Sequence, residues 1–384
     1  MEFSNMKERA YQICTNCVMD TSDPNIKFDE KGVCDRCNQY YTEILPWWNK
    51  GHGHAEELEK ITGQIKQAGK GKPHDCLLGF SGGFDSSYML HFAIKELGLR
   101  PLVFHVDAGW DEPFAKENVQ KMVEKLGVEL KVETVNWNEI RDMQLAFFKS
   151  GVPHLDLPQD HAFVAILDYY AEKHDIKYIL NGENISTEAV SNPMAWKYWG
   201  TDLKHIKDIT EQFGTVPLKT YPFTSVLRRK VYVPYIKGIK VIKFLNLIPY
   251  IKKDAEALLM KEYGWMPYPQ KHFESSLTKF IEAYWNPKRF GYDVRRPQFS
   301  SLILTEQMTR EEALKRLENG AVTDDEAKEL FEKVAAMLEV SVEELTSYLK
   351  MPKKTYKDYK HQDYMFDIGA KIMFWLKLDK RIRK

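Results

Sequence analysis

Short apolar runs alternate with longer segments whose apolar residues recur every three to four positions through the first half of the chain. The runs fall at 76–80, 101–106, 128–135 and 178–180, and the periodic segments at 86–97, 112–126, 138–149 and 160–174. Runs this short suit buried strands, and the periodic segments suit amphipathic helices. Their alternation predicts an α/β fold, a doubly wound parallel sheet with helices on both faces, whose ligands sit beyond the carboxyl ends of the strands. After Tyr221-Pro222-Phe223 the alternation stops. The apolar stretch Val231 to Ile251, broken by Pro234, Gly238 and Pro249, reads as buried or interface-facing helix and turn, with a membrane-surface contact through Lys237, Lys240 and Lys243 as the alternative. A helix is expected at 254–263, another from Thr309, whose Thr-Arg-Glu-Glu start is a capping box, and more to the basic end at 380–384. This predicts a helical C-terminal region.

One strand end carries the strongest chemical signal. Leu77-Leu78-Gly79-Phe80-Ser81-Gly82-Gly83-Phe84-Asp85-Ser86-Ser87 reads as strand, glycine turn and helix. Glycines let the backbone approach a ligand, first-turn amides point at it, and Ser81, Ser86 and Ser87 add hydroxyls, so phosphate is the natural guest. The loop lacks the lysine of a Walker sequence. Asp85 stands there instead, and a carboxylate beside phosphates makes electrostatic sense through a bridging cation such as Mg²⁺.

At the second strand end, Asp107 either borders a ligand or caps the next helix. The third is Asn181-Gly182-Glu183-Asn184-Ile185-Ser186-Thr187-Glu188, whose acids either face a ligand or form a solvated pair. The prolines of Pro153-His154-Leu155-Asp156-Leu157-Pro158-Gln159-Asp160-His161 force an extended, exposed path, which makes His154 and His161 candidates for contact with a phosphate ligand or substrate, with Asp160 as an alternative helix cap. Downstream, Phe273, Leu277, Phe280 and Ile281 share one helical face while Lys271, His272, Glu274, Ser275 and Thr278 fall on others. Such polar density beside aromatics suits a substrate, with Lys271, His272 and Glu274 as candidate catalytic groups and Ser275 and Thr278 as contacts. Lys288, Arg295 and Arg296 form a basic stretch fit for phosphates or carboxylates, or a solvated charge run.

Cys14-x-x-Cys17 and Cys34-x-x-Cys37, 16 residues apart, match paired zinc knuckles, and a closed four-thiolate site is structural. An iron–sulfur cluster is the alternative ligand. Cys76, the fifth cysteine, belongs to the core under the loop. Lys plus Arg and Asp plus Glu are both 55, so no whole-protein attraction to nucleic acid or membrane is expected. A polar start and the lack of an apolar run near the ~20 residues of a span predict a cytoplasmic protein without stable membrane insertion.

The Ser-Gly-Gly-x-Asp-Ser-Ser loop resembles that of the N-type ATP pyrophosphatases (PP-loop enzymes), which include GMP and NAD synthetases and have the adenine nucleotide alpha hydrolase-like fold. The resemblance implies cleavage of ATP between the α- and β-phosphates, adenosine near Asp107, and Mg²⁺ held by Asp85 and Glu188, the latter placed like the glutamate of a Gly-Thr-x-x-x-x-Glu-Ala-Val stretch in NAD synthetase. Glu183 stands where that family has threonine. The knuckles, the loop, Lys-His-Phe-Glu-Ser at 271–275, Lys-Arg-Phe-Gly-Tyr-Asp-Val-Arg-Arg at 288–296 and Ser-Ser-Leu-Ile-Leu-Thr-Glu-Gln-Met at 300–308 occur in the order found in the N-acetyl sugar amidotransferases of bacterial surface-polysaccharide synthesis. That resemblance implies conversion of a sugar or nucleotide-sugar acetamido group into an acetamidino group through an adenylylated imidate. It also implies ATP, Mg²⁺ and structural Zn²⁺, and a division into a zinc ribbon (1–50), helix and linker (51–75), PP-loop domain (76–225), substrate-binding region (226–300) and helical region (301–384). With four cysteines in knuckles and Cys76 in the sheet, the chain is not expected to hydrolyse glutamine, so ammonia is expected from a separate glutaminase subunit or free in solution. The competing readings are a tRNA sulfurtransferase, which needs spare cysteines, and a regulatory ATP-binding module.

Overall fold

The computed structural model describes residues 9–375, so the basic end at 380–384 lies outside the described residues. Five parallel strands, β1 (Cys76–Gly79), β2 (Pro101–Asp107), β3 (Leu130–Thr134), β4 (Tyr178–Leu180) and β5 (Lys240–Ile242), stand in the order β3-β2-β1-β4-β5. β1 pairs with β2 on one side and β4 on the other, Leu78 lying opposite both Val103 and Leu180. The strand order reverses between β1 and β4, where doubly wound sheets bind ligands.

Alternate strand residues feed two cores. Leu77, Leu102, Phe104 and Ile179 join the helices Trp137–Ser150 and Leu157–Lys173 on one face. Cys76, Leu78, Val103 and Leu180 join the helices Phe84–His91, Pro113–Leu126 and Lys252–Tyr263 on the other. The first core continues into the helical region through Leu277, Phe280, Phe331 and Leu345.

Two expectations need correction. The sheet does not end with the expected domain boundary at 225: β5 pairs with β4 inside the stretch read as helix and turn, and Leu245, Tyr250 and Leu259 then complete the second core. A three-residue edge strand flanked by lysines has no periodicity to betray it. The helix expected from 160 starts at Leu157, with Pro158 in its first turn, so Asp160 lies inside the helix and is not its cap.

Candidate active site

From Gly79 the chain turns through Ser81, Gly82 and Gly83 into the helix Phe84–His91. Gly82 has φ +76°, and a Cβ there would stand 2.5 Å from the Ala115 carbonyl oxygen. A Cβ on Gly83 would stand 2.4 Å from Glu274 Oε1. The first glycine therefore supplies a left-handed turn and the second lets a carboxylate close on the loop. Ser81 Oγ accepts the Gly83 N–H at 3.2 Å and lies 3.1 Å from Ser86 Oγ.

Asp85 is the centre of a charge cluster. Lys271 Nζ donates to Asp85 Oδ2 at 2.7 Å and to Glu188 Oε1 at 2.5 Å, while Tyr250 Oη and Asn184 Nδ2 donate to Asp85 Oδ1 at 2.9 and 3.0 Å. Burial opposes the charge on Asp85, but the Lys271 ammonium and the Tyr250 hydroxyl outweigh it and hold the carboxyl below the usual carboxylate range. Burial likewise opposes the charge on Lys271, and the two carboxylates win, raising it above an ordinary lysine.

Two cavities of about 390 Å³ each flank the loop and share Gly79, Ser81, Leu167, His272 and Glu274, so they form one cleft along the strand ends. The first lobe, between β1 and β4, holds Asp85, Gly182, Glu188 and Lys271 with the further cations Arg229, Lys252 and Arg316. Phe104 to Val106 of β2 and Trp110 wall the second, which holds Asp156, Gln159, Lys197, Ser275 and Thr278. There Thr278 Oγ1 donates to Asp156 Oδ1 at 2.9 Å, and Gln159 Nε2 reaches the same oxygen at 3.0 Å. Behind them Glu282, 2% exposed, takes Lys197 Nζ at 3.3 Å and lies 3.2 Å from His272 Nδ1. Burial pushes Glu282 up, but His272 and Lys197 bring it down to about 2.

The structure gathers Ser81, Gly83, Asp85, Ser86, Gly182, Glu188, Lys271, His272, Glu274, Ser275 and Thr278 around this cleft. Other expected site residues go elsewhere. His161 is in the core, its Nδ1 2.7 Å from the Gly200 carbonyl and its Nε2 accepting the Thr224 N–H, because the helix that begins at Leu157 turns it inward. His154 is buried as well, 3.6 Å from Asp160. Arg295 is spent on Asp293 and on the carbonyls of Arg316 and Asn319. Arg296 is spent on Asp20 and the Val18 carbonyl, so it fastens the N-terminal segment instead of meeting substrate. Lys288 is exposed and lines neither cavity. Asp107 takes the Gly109 N–H and Lys116 and lines neither cavity; Ser87 is wholly buried. Glu183 lines the first lobe but pairs with Lys243. Asp156, Gln159, Lys197 and Glu282, absent from the sequence-based expectation, sit in no motif and converge only through folding.

Magnesium carried by a nucleotide uses one or two protein carboxylates, with phosphate and water filling its other positions. Asp85 and Glu188, bridged by a single ammonium on one cavity wall, fit that demand. The four knuckle cysteines are buried, with Sγ atoms within 4.8 Å of one another. Cys14–Cys37, Cys17–Cys34 and Cys34–Cys37 are 3.8, 3.6 and 3.6 Å apart. Tetrahedral Zn–S bonds of about 2.3 Å put sulfurs about 3.8 Å apart, so the set fits zinc. The Arg310 guanidinium on the Cys14 and Cys17 carbonyls fastens the knuckles to the helix Arg310–Leu317, and none of the four cysteines lines either cavity.

Residues 75–151 match the phosphoadenosine phosphosulfate reductase domain, and residues 274–373 match the C-terminal domain of LPS biosynthesis protein WbpG-like proteins. No curated protein matches the chain. Among solved structures it is similar to an NH3-dependent NAD synthetase from Campylobacter jejuni, at 16% identity over 80% of this chain and 98% of that one, TM-score 0.29. An NMN synthetase from Francisella tularensis aligns at 12% identity over 58% and 99% of the two chains, TM-score 0.29. A predicted subunit of tRNA methyltransferase from Methanocaldococcus jannaschii aligns at 17% identity over 48% and 74%, TM-score 0.28. The fold rests on the sheet order and on the two domain matches.

Proposed function

We propose that this chain, a PP-loop ATP-using enzyme with a WbpG-like C-terminal domain, is an AMP-forming amidotransferase that turns the acetamido group of a sugar or nucleotide sugar into an acetamidino group. The observation that carries this reading is the meeting of the two matched segments at one cleft: Ser81, Asp85, Phe104 and Trp110 come from one, Glu274, Ser275 and Thr278 from the other.

An amide oxygen is a poor leaving group. Attack of that oxygen on the α-phosphorus of ATP releases pyrophosphate and leaves an O-adenylyl imidate; ammonia then adds to the imidate carbon and AMP departs. Lys271, Lys252 and Arg316 line the first lobe and neutralise the departing pyrophosphate. Asp85 and Glu188 would hold Mg²⁺, which would supply Lewis-acid stabilisation of the same charge. Glu274 Oε2, buried without a hydrogen-bond partner in a residue that lines both lobes, offers an acceptor for the acetamido N–H. Ammonia comes from a separate glutaminase subunit or from solution, because all five cysteines are buried: four lie in the knuckles and Cys76 lies in β1, where burial pushes its thiol up. The same distribution leaves no thiol at the cleft for sulfur transfer to tRNA.

The test is incubation with ATP, an ammonium salt and a UDP-diacetamido sugar. The expected products are AMP, pyrophosphate and a sugar lighter by the difference between O and NH. Formation of ADP, or thiolation of tRNA in place of the sugar reaction, overturns the reading.

A further inference from the structure

The segment 271–276 is sewn to the far side of the cleft. Glu112 N–H donates to the Glu274 carbonyl at 2.8 Å and Ser276 N–H to the Trp110 carbonyl at 2.8 Å. Within it His272 adopts φ +70°, a left-handed conformation that a histidine keeps only where its surroundings over-determine it, and that recurs at functional sites. The ring reaches both cavities, while Nδ1 stays 3.2 Å from both oxygens of Glu282. Lys197 lies behind that carboxylate. A neutral imidazole that donates Nδ1–H to Glu282 carries its lone pair on Nε2.

We propose that His272 Nε2 takes the proton from the attacking amine in the second half-reaction, and that Glu282, with Lys197, positions it. This rests on the function proposed above. The amine lone pair forms the C–N bond, one N–H proton passes to Nε2, and the C–O bond breaks with its electron pair leaving on the phosphate oxygen of AMP. The proton then leaves His272 for solvent. The groups around His272 are Glu282 and Lys197, Lys271 and Glu274 on its own segment, and Asp156 and Asp160 at the start of the helix Leu157–Lys173. Burial disfavours the imidazolium, Glu282 outweighs it, and the balance lies above an ordinary histidine, which suits a proton acceptor opposite an amine.

Two assays separate the half-reactions. Sugar-dependent exchange of pyrophosphate into ATP reports adenylylation alone, and ammonia-dependent AMP release reports both steps. His272→Asn is the informative variant because asparagine accepts positive φ. It is expected to lose about 100-fold or more in ammonia-dependent turnover while retaining most of the exchange. Hydroxylamine, a weakly basic amine whose adduct carries a more acidic N–H and gives its proton to water without a positioned base, is expected to restore turnover. Glu282→Gln is expected to move the acid limb of the turnover profile to lower pH, since loss of the carboxylate lowers the imidazole pKa. Glu282→Gln/Lys197→Met, which leaves no unpaired buried ammonium, should move the limb in the same direction but less far, because Lys197 itself lowers the imidazole pKa. Equal loss of exchange and turnover in His272→Asn overturns the role of His272. An acid limb unmoved in both Glu282 variants overturns the positioning role. Absence of exchange in the unmodified protein instead overturns the amidotransferase reading beneath it.

Discussion

Lys271→Met tests the electrostatics of the site most directly. The ammonium spans Asp85 and Glu188 at 2.7 and 2.5 Å, and Asp85 keeps only the neutral donors Tyr250 and Asn184 once it is gone. At an effective dielectric of about 20, one such contact is worth about 6 kcal/mol of gross Coulomb energy, most of it spent on desolvation. Glu188 is 36% exposed on its side chain and relaxes into water, whereas Asp85 is 15% exposed and cannot. Breaking one side of a buried pair costs about 3–5 kcal/mol, and the Asp85 contact places the loss near the lower end. Without Lys271, burial, the largest influence on Asp85, is opposed only by Tyr250, Asn184 and the Lys252 charge, and is expected to raise its carboxyl above the unfolded value. The sign follows: the group's contribution is then fully present below the unfolded pKa of about 3.9 and is lost as pH rises through the raised folded pKa. Urea titrations of the variant should therefore show stability falling with pH across the weakly acidic range, where the unmodified protein does not. Sugar-dependent pyrophosphate exchange should fall by about 100-fold or more, the scale of one lost donor to developing phosphate charge. Unchanged stability together with unchanged exchange would refute the placement of Lys271 as counter-ion of the loop.

Three further outcomes follow from geometry. Elemental analysis should find one zinc per chain, and Cys17→Ser/Cys37→Ser should lose it together with the protease resistance of the N-terminal segment; iron in its place would select the cluster alternative. Arg289, 4% exposed, donates to the carbonyls of Tyr348, Leu349, Met351 and Pro352, so Arg289→Met should cost about 3 kcal/mol by chemical denaturation and free the chain after 350 to proteolysis. Burial opposes the charge on Glu139, yet the backbone N–H groups of Thr220, Lys219 and Tyr221 hold its carboxyl below the usual range. Its stabilisation is present above the unfolded pKa of about 4.3 and lost as pH falls through the folded value, so Glu139→Gln should flatten the acid limb of a stability profile.

The strand-turn-helix at 76–91 is legible because strand, glycines and helix are contiguous, and each follows from local steric rules. The knuckles are legible for the same reason: metal ligation constrains spacing, and spacing is written along the chain. β5 is not, since a three-residue edge strand takes its order from β4 and not from its own pattern. The basic residues 295 and 296 mislead because an arginine's charge reads the same whether it meets a phosphate or a neighbour's carbonyl. His161 misleads because Pro158 sits in the first turn of a helix that turns it inward, where the prolines were expected to keep the chain extended and exposed.

The class of fold, the phosphate loop, the thiolate cluster and the polar segment at 271–278 are properties of neighbours in the chain and can be read along it. Tertiary structure alone decided that Lys271 neutralises Asp85 across 186 positions, that Glu282 and Lys197 stand behind His272, and that the cleft has two lobes. Charge pairing depends on distance in space and on the local dielectric, and both come into being only when the segment from Lys271 onward folds back over the strand ends.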